Sequence, residues 1–168
     1  LNGRDRKLLG SENTRRYFAY LPQEIFILND TVRNNVSLCD EATDAASRST
    51  TAIVSARLNS LLDDLPDGIE SCCGEGGARL SGGQRQRIAV ARAIYHRRSF
   101  LVLDEATSAL DKSTEREVIA EIQELRGACT LLVVAHRIET VLGCDRILVV
   151  KEGGVSEISK EQLLAEAY

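Results

Sequence analysis

The sequence has no methionine, no tryptophan and only two prolines, and aromatic residues fill 4% of its 168 positions. A core built from it must be aliphatic, made of Leu, Ile, Val and Ala. No apolar run approaches the ~20 residues needed to cross a bilayer. The longest, such as Leu131–Ala135, are strand-sized. Positive charge is not in excess either: the net charge is −4, which argues against a dedicated nucleic-acid surface. Five cysteines stand without metal-ligand spacing. Cys72 and Cys73 are adjacent rather than a CxxC, and Cys39, Cys129 and Cys144 are scattered, so free thiols in a reducing compartment are expected. Leu1–Lys7 holds no signal-peptide core. The absence of Met at position 1 is read as a chain that starts inside a longer gene. There are no repeats and no low-complexity linker.

What remains is globular: 43% hydrophobic and 27% charged residues, the length of one domain. A chain of this size buries roughly 70% of its unfolded surface. Residues 1–16 read as a strand remnant and a turn. Tyr17–Leu21 is a β-prone run stopped by Pro22. Asp30 or Thr31 caps a short helical piece through Val36. From Glu41 to Leu65, Ala52, Ile53, Ala56 and Leu61-Leu62 recur at helical spacing, predicting one or two helices. Pro66-Asp67-Gly68 is a turn, and Ser71–Gly77 a glycine-rich loop. Ser81 followed three residues later by Gln84 fits a capping box, opening a helix that runs through Ile88, Ala91 and Tyr95. Phe100–Leu103 and Thr130–Ala135 read as strands buried on both faces, and Ile147–Val150 as a third. A helix over Ser113–Leu125 separates the first two. Strands alternating with helices predict an α/β fold with a mainly parallel sheet.

Four places carry chemistry. Asp104 and Glu105 stand where a buried strand emerges, the edge at which open α/β sheets place ligands. That pattern suits a Mg²⁺-holding carboxylate followed by a water-polarising one, and equally a strand-end Asp that caps the next helix. Leu80-Ser81-Gly82-Gly83-Gln84 lets backbone N–H groups approach an anion at a helix start, and would also serve as a plain N-cap. His136, after a strand, is either a phosphate donor or a satisfied sheet-edge histidine. Gln23 ends the first strand, where it reaches a metal or is simply exposed. His96, beside Arg97 and Arg98 at a helix end, is read as structural.

Taken in order, Gln23, Leu80–Gln84 with the Gln84-Arg85-Gln86-Arg87 extension, Leu101–Glu105, Ser108–Asp111 and His136 resemble the nucleotide-binding domain of ATP-binding cassette (ABC) transporters. The matching family elements are the Q-loop, signature motif, Walker B, D-loop and H-loop. The stretch Gln23–Val36, the loop Gly74–Gly77 and Ala89-Val90-Ala91-Arg92-Ala93 resemble the exporter branch. The resemblance implies ATP and Mg²⁺ as cofactors, with Asp104 and Gln23 at the metal. It implies Glu105 as general base, His136 at the γ-phosphate and Gln23 as sensor. Ser81, Gly82, Gly83, Gln84 and Asp111 would reach ATP held by a second nucleotide-binding domain in a head-to-tail dimer. The Gln23 and Gly74–Gly77 loops would meet the coupling helices of a transmembrane domain, on the cytoplasmic face of a membrane, with no nucleic-acid partner.

The implied organisation is a Q-loop strand and loop over 1–36, a helical signature subdomain over 37–98, and the Walker B, D-loop and H-loop part over 99–168. The sequence departs from the family in one respect: no GxxxxGK[ST] phosphate loop occurs, and no upstream aromatic for adenine. The expectation is therefore a P-loop NTPase-type α/β fold, helices on both faces of a mainly parallel sheet, with the Walker A strand and helix missing. The chain alone is expected to bind no ATP. The expected sheet order is 17–21, 100–103, 130–135, a gap, then 145–150. Two other readings are a soluble cassette ATPase of DNA-repair type and a non-hydrolysing partner that only lends its signature. The short stretch between Gln23 and Ser81 and the acidic charge disfavour the first. Intact Glu105 and His136 disfavour the second.

Overall fold

A computed structural model describes residues 15–105, 110–135 and 137–166, so His136 and the segment 106–109 lie outside the described residues. The chain divides into two compact units, one up to Val134 and one from Ala135 onward. In the first unit β1 (Phe18–Leu21), β2 (Phe100–Asp104) and β3 (Thr130–Val134) form a parallel sheet in that order. Phe18 aligns with Phe100, and Phe100 with Thr130. The order expected for these three strands is the order found.

The helices follow the local signals. Thr31 caps α1 (Val32–Ser37), its hydroxyl accepting from the Asn34 N–H. The Ala-, Ser- and Leu-rich stretch forms α2 (Ala45–Ser55) and α3 (Asn59–Asp63). Ser81 opens α4 (Gly82–Tyr95), and Asp111 opens α5 (Lys112–Gln123). The core is aliphatic, as the composition requires. It gathers Leu21, Val32, Val36, Leu58, Ile88, Leu101 and Val118 around a single large aromatic, Tyr95.

Two expectations are corrected. β3 is not buried on both faces: Leu132 and Val134 are 48% and 45% exposed, while its pairing with β2 alone among the described residues accords with the expected gap beside it. An edge strand in this setting alternates half-buried and exposed residues instead of reading as a continuous buried run. The last strand, expected to stand singly, is instead half of a hairpin. In the second unit, which also holds α6 (Ile138–Leu142) and α7 (Lys160–Glu166), β4 (Ile147–Lys151) pairs antiparallel with β5 (Gly154–Ile158). Glu152 and Gly153 both take positive φ (49° and 78°), the two-residue primed turn that joins hairpin strands. The Glu152-Gly153-Gly154 stretch closes one strand and opens the next; Arg146 and Glu157 pair across the hairpin at 2.7 Å.

Candidate functional site

The strands of the first unit run parallel, so their carboxyl ends lie along one edge. Leu21 pairs with Leu103, and Asp104 pairs with Val134. Gln23 is exposed just past the end of β1, Asp104 closes β2, and Glu105 follows it. The Tyr20 hydroxyl donates to Asp104 Oδ2 at 2.7 Å, and this bond raises the Tyr20 pKa above its ordinary value. One carboxylate oxygen is thereby committed while Oδ1 keeps its lone pairs. Glu105 has a φ of 48°, in the left-handed region that a branched or bulky residue rarely enters. Its N–H donates to the Val134 carbonyl at 3.0 Å, tying the turn to β3. A carboxylate held in a strained backbone at a sheet's carboxyl edge is a feature that clusters at functional sites.

A second group forms around the start of α4. The Ser81 hydroxyl accepts from the Gln84 N–H (3.2 Å), and the Gln84 side chain accepts from the Ser81 N–H (2.7 Å), completing the capping box. The Ser81 hydroxyl keeps its own proton for donation to a ligand. The two glycines that follow are there for space. A Cβ on Gly82 would stand 3.0 Å from Leu110 Cδ2, and one on Gly83 would stand 2.6 Å from Thr114 Cγ2. The signature helix thus sits directly on the beginning of α5. Leu110 ends in a long side chain that can turn away, whereas the Thr114 methyl is fixed at its β-carbon. Gly83→Ala is expected to destabilise the chain by about 1–3 kcal/mol, the usual range for overpacking. Adding Thr114→Ser, which deletes only the methyl, is expected to restore most of the loss in urea denaturation. No recovery in the double variant would show that the methyl is not the obstacle.

Asp111 caps α5 by accepting from the Ser113 and Thr114 N–H groups at 3.0 and 3.1 Å. Hydrogen bonds from the Ser113 and Thr114 side chains, with the backbone donors, hold its carboxyl well below the usual carboxylate range. A folded pKa below the unfolded one stabilises the fold at every pH above the unfolded value, near 3.9, and that stabilisation is lost as pH falls through the folded value. Asp111→Ala is expected to lower the urea midpoint at pH 7, and the gap from the parent to narrow steadily below pH 4. A gap that stays constant down to pH 2 would remove the charged cap from the account.

The structure gathers Gln23, Asp104 and Glu105 at the carboxyl edge, and Ser81–Gln84 with Asp111 at the α4–α5 contact. It also joins the two loops singled out by sequence: a Cβ on Gly77 would meet Ile27 at 3.0–3.2 Å, so the Gly74–Gly77 loop packs on the segment after Gln23. Sequence reasoning missed Tyr20, whose alternation along β1 with Leu21 inward was the available signal. It also missed what Asn35, Arg87 and Arg92 do. Arg87 on α4 binds Glu121 through Nε (3.1 and 3.2 Å) and Nη2 (3.0 Å) and reaches Glu117 at 3.0 Å. Glu121 is 3% exposed.

Comparison with known proteins gives the family and the fold. The family model described as ABC transporter matches residues 1–108. The chain belongs to the ABC transporter family. Its curated relatives include the ATP-dependent lipid A-core flippases of Ralstonia nicotianae (41% identical over 162 residues, 94% of this chain and 27% of the relative) and Vibrio cholerae (40% over 167 residues, 99% and 29%). Among solved structures, a bacterial Atm1-family ABC exporter with ATP bound superposes with a TM-score of 0.85 at 30% identity, covering 98% of this chain and 29% of that one. The chain thus spans less than a third of the length of these ABC transporters. No helix among the described residues is long and apolar enough to cross a membrane. The fold is the mixed α/β fold of an ABC ATPase, and the family implies ATP binding.

Proposed function

We propose that this chain is the larger part of the nucleotide-binding domain of an ABC exporter, the part that hydrolyses ATP to drive transport by a membrane domain. The observation that carries this reading is the carboxyl edge of the sheet, where Asp104 is oriented by Tyr20 and Glu105 follows it in a left-handed turn. The α4 start, Ser81–Gln84, packs its two glycines on Leu110 and Thr114, which flank the Asp111 cap.

Asp104 and Gln23 supply oxygen donors only, and one carboxylate with an amide oxygen suits Mg²⁺, which takes few protein ligands and keeps its remaining positions for phosphates and water. Held by Asp104 and Gln23, Mg²⁺ would supply positive charge to offset that of the phosphates in transfer. Glu105 accepts the proton of the water that attacks the γ-phosphorus, and the bond to the bridging oxygen breaks to release ADP. His136 donates to a γ-phosphate oxygen in transfer. Ser81, Gly82, Gly83, Gln84 and Asp111 face ATP held by a second nucleotide-binding domain, arranged head to tail. Gln23 reports the state of the site. The Gly77–Ile27 contact joins the Gln23 and Gly74–Gly77 loops into one surface for the coupling helices, on the cytoplasmic face of the membrane. Within this reading residues 37–98 form the helical subdomain, between the Q-loop part over 1–36 and the catalytic part over 99–168. The named relatives, a lipid A-core flippase and an Atm1-family exporter, support the exporter reading.

The test is ATP turnover by the gene product in which the chain is joined to its own upstream coding sequence. Mg²⁺-dependent phosphate release is expected. A folded product that releases none would make the chain a signature-lending partner and remove the hydrolytic role.

A further inference from the structure

α4 begins at the signature and ends against the loop that follows Gln23, and one residue makes the second contact. Arg92 donates from Nε to the Asn35 carbonyl (2.6 Å), from Nη1 to the Phe26 carbonyl (2.7 Å), and from Nη2 to Asn35 Oδ1 (3.0 Å). No carboxylate among the described residues pairs with it. Burial lowers its pKa, as expected for a cation whose only partners are neutral dipoles. Asn35 is fully buried and spends both ends of its amide on the same loop. Its oxygen accepts from the Leu28 N–H (2.8 Å), and its nitrogen donates to the Leu28 and Thr31 carbonyls (both 3.0 Å). The backbone at Phe26 and Leu28, three and five residues after Gln23, is therefore fastened to α4 through one guanidinium and one amide.

We propose that Arg92 is a positioning residue that couples the Gln23 loop to Ser81. A planar fork gripping two carbonyls and an amide oxygen resists rotation of the loop about α4. α4 carries any displacement of that loop about 16 Å along its axis, the rise of eleven residues, to the signature at its start. A lysine has the charge but not the fork, and cannot hold Phe26 and Asn35 in one plane. The role differs from that of Arg87, which fixes the other half of α4 to α5. The inference rests on the reading of Gln23 and Ser81 given above.

The test is a mutant cycle on ATP turnover in the full gene product. Gln23→Ala and Ser81→Ala are measured singly and together, first with Arg92 and then with Arg92→Lys. With Arg92, the joint effect is expected to differ from the product of the single effects by about fivefold or more, the lower end of ordinary site-to-site coupling. With Arg92→Lys it is expected to fall within about twofold of that product. A mere loss of folded protein scales all four rates equally and leaves this ratio unchanged, so a structural role alone does not reproduce the result. Arg92→Gln, which removes the buried charge, is the second variant should the lysine protein not fold. Unchanged coupling in either variant, or none with Arg92 in place, overturns the proposal. Single variants with parental turnover instead overturn the assignment of Gln23 and Ser81, and the proposal falls with it.

Discussion

Glu105→Gln is expected to lower ATP turnover by about two to four orders of magnitude, the usual contribution of a positioned general base. Glutamine matches glutamate in shape, keeps the left-handed turn that Glu105 occupies at φ 48°, and leaves its N–H free to bond the Val134 carbonyl at 3.0 Å. What it loses is the capacity to accept a proton from water. Nucleotide affinity is thus expected to survive, because the ligands proposed to hold ATP and Mg²⁺ lie elsewhere. The check is phosphate release and nucleotide binding measured side by side on the gene product that carries this chain. A variant turning over within tenfold of the parent would take the base role from Glu105. Loss of binding together with turnover would mean that the substitution had disturbed the carboxyl edge itself.

The second large effect concerns stability. Arg87→Ala leaves Glu121, 3% exposed, as a carboxylate without its bidentate partner inside the α4–α5 contact. Breaking a buried pair from one side typically costs about 3–5 kcal/mol, most of it the penalty of the stranded charge. Replacing both partners, as Arg87→Met with Glu121→Leu, is expected to return stability to within about 1–2 kcal/mol of the parent, because hydrophobic groups of similar volume need no hydration. Glu117 also reaches Arg87, but it stands largely in solvent and is worth at most about 1 kcal/mol. Urea denaturation of the parent and the two variants separates these outcomes. A single variant as stable as the parent would show that Glu121 finds water or a proton in the folded state.

Much of this was legible in the residues. Ser81 and Gln84 announce the helix start because a capping box is a local device, four residues wide. Phe100–Asp104 announces a strand that delivers carboxylates to a sheet edge, since its apolar run is short and ends in charge. Three parallel strands in the observed order followed once the motif order was recognised. What stayed hidden is what long-range packing decides. Thr130–Val134 has the composition of a strand covered on both faces, and nothing in those five residues tells that one face is left exposed. Glu152-Gly153 is a weak hairpin signal beside Asn-Gly or Asp-Gly, so the antiparallel partner was missed. Asn35 and Arg92 fall in stretches that resemble the family, but nothing local says that they touch. Their importance arises from a contact between residues 57 positions apart in the chain.

The pairing of β1 with β2 has a consequence for synthesis. Phe18 must wait for Phe100, and all of α1 to α4 is made between them. At about 5–20 residues per second, the first strand leaves the ribosome roughly 4–16 s before its partner exists. Helical turns form in microseconds and loops of this span close at modest entropic cost, so the intervening helices have time to assemble while β1 still lacks β2. Tyr17, Phe18 and Tyr20, all exposed even in the finished fold, are then without the β2 backbone that Phe18 and Tyr20 line up against. The sheet that bears the candidate site is accordingly the last part of this unit to be made, and slowing translation after Tyr95 is expected to lengthen the window in which a chaperone can engage Tyr17–Leu21.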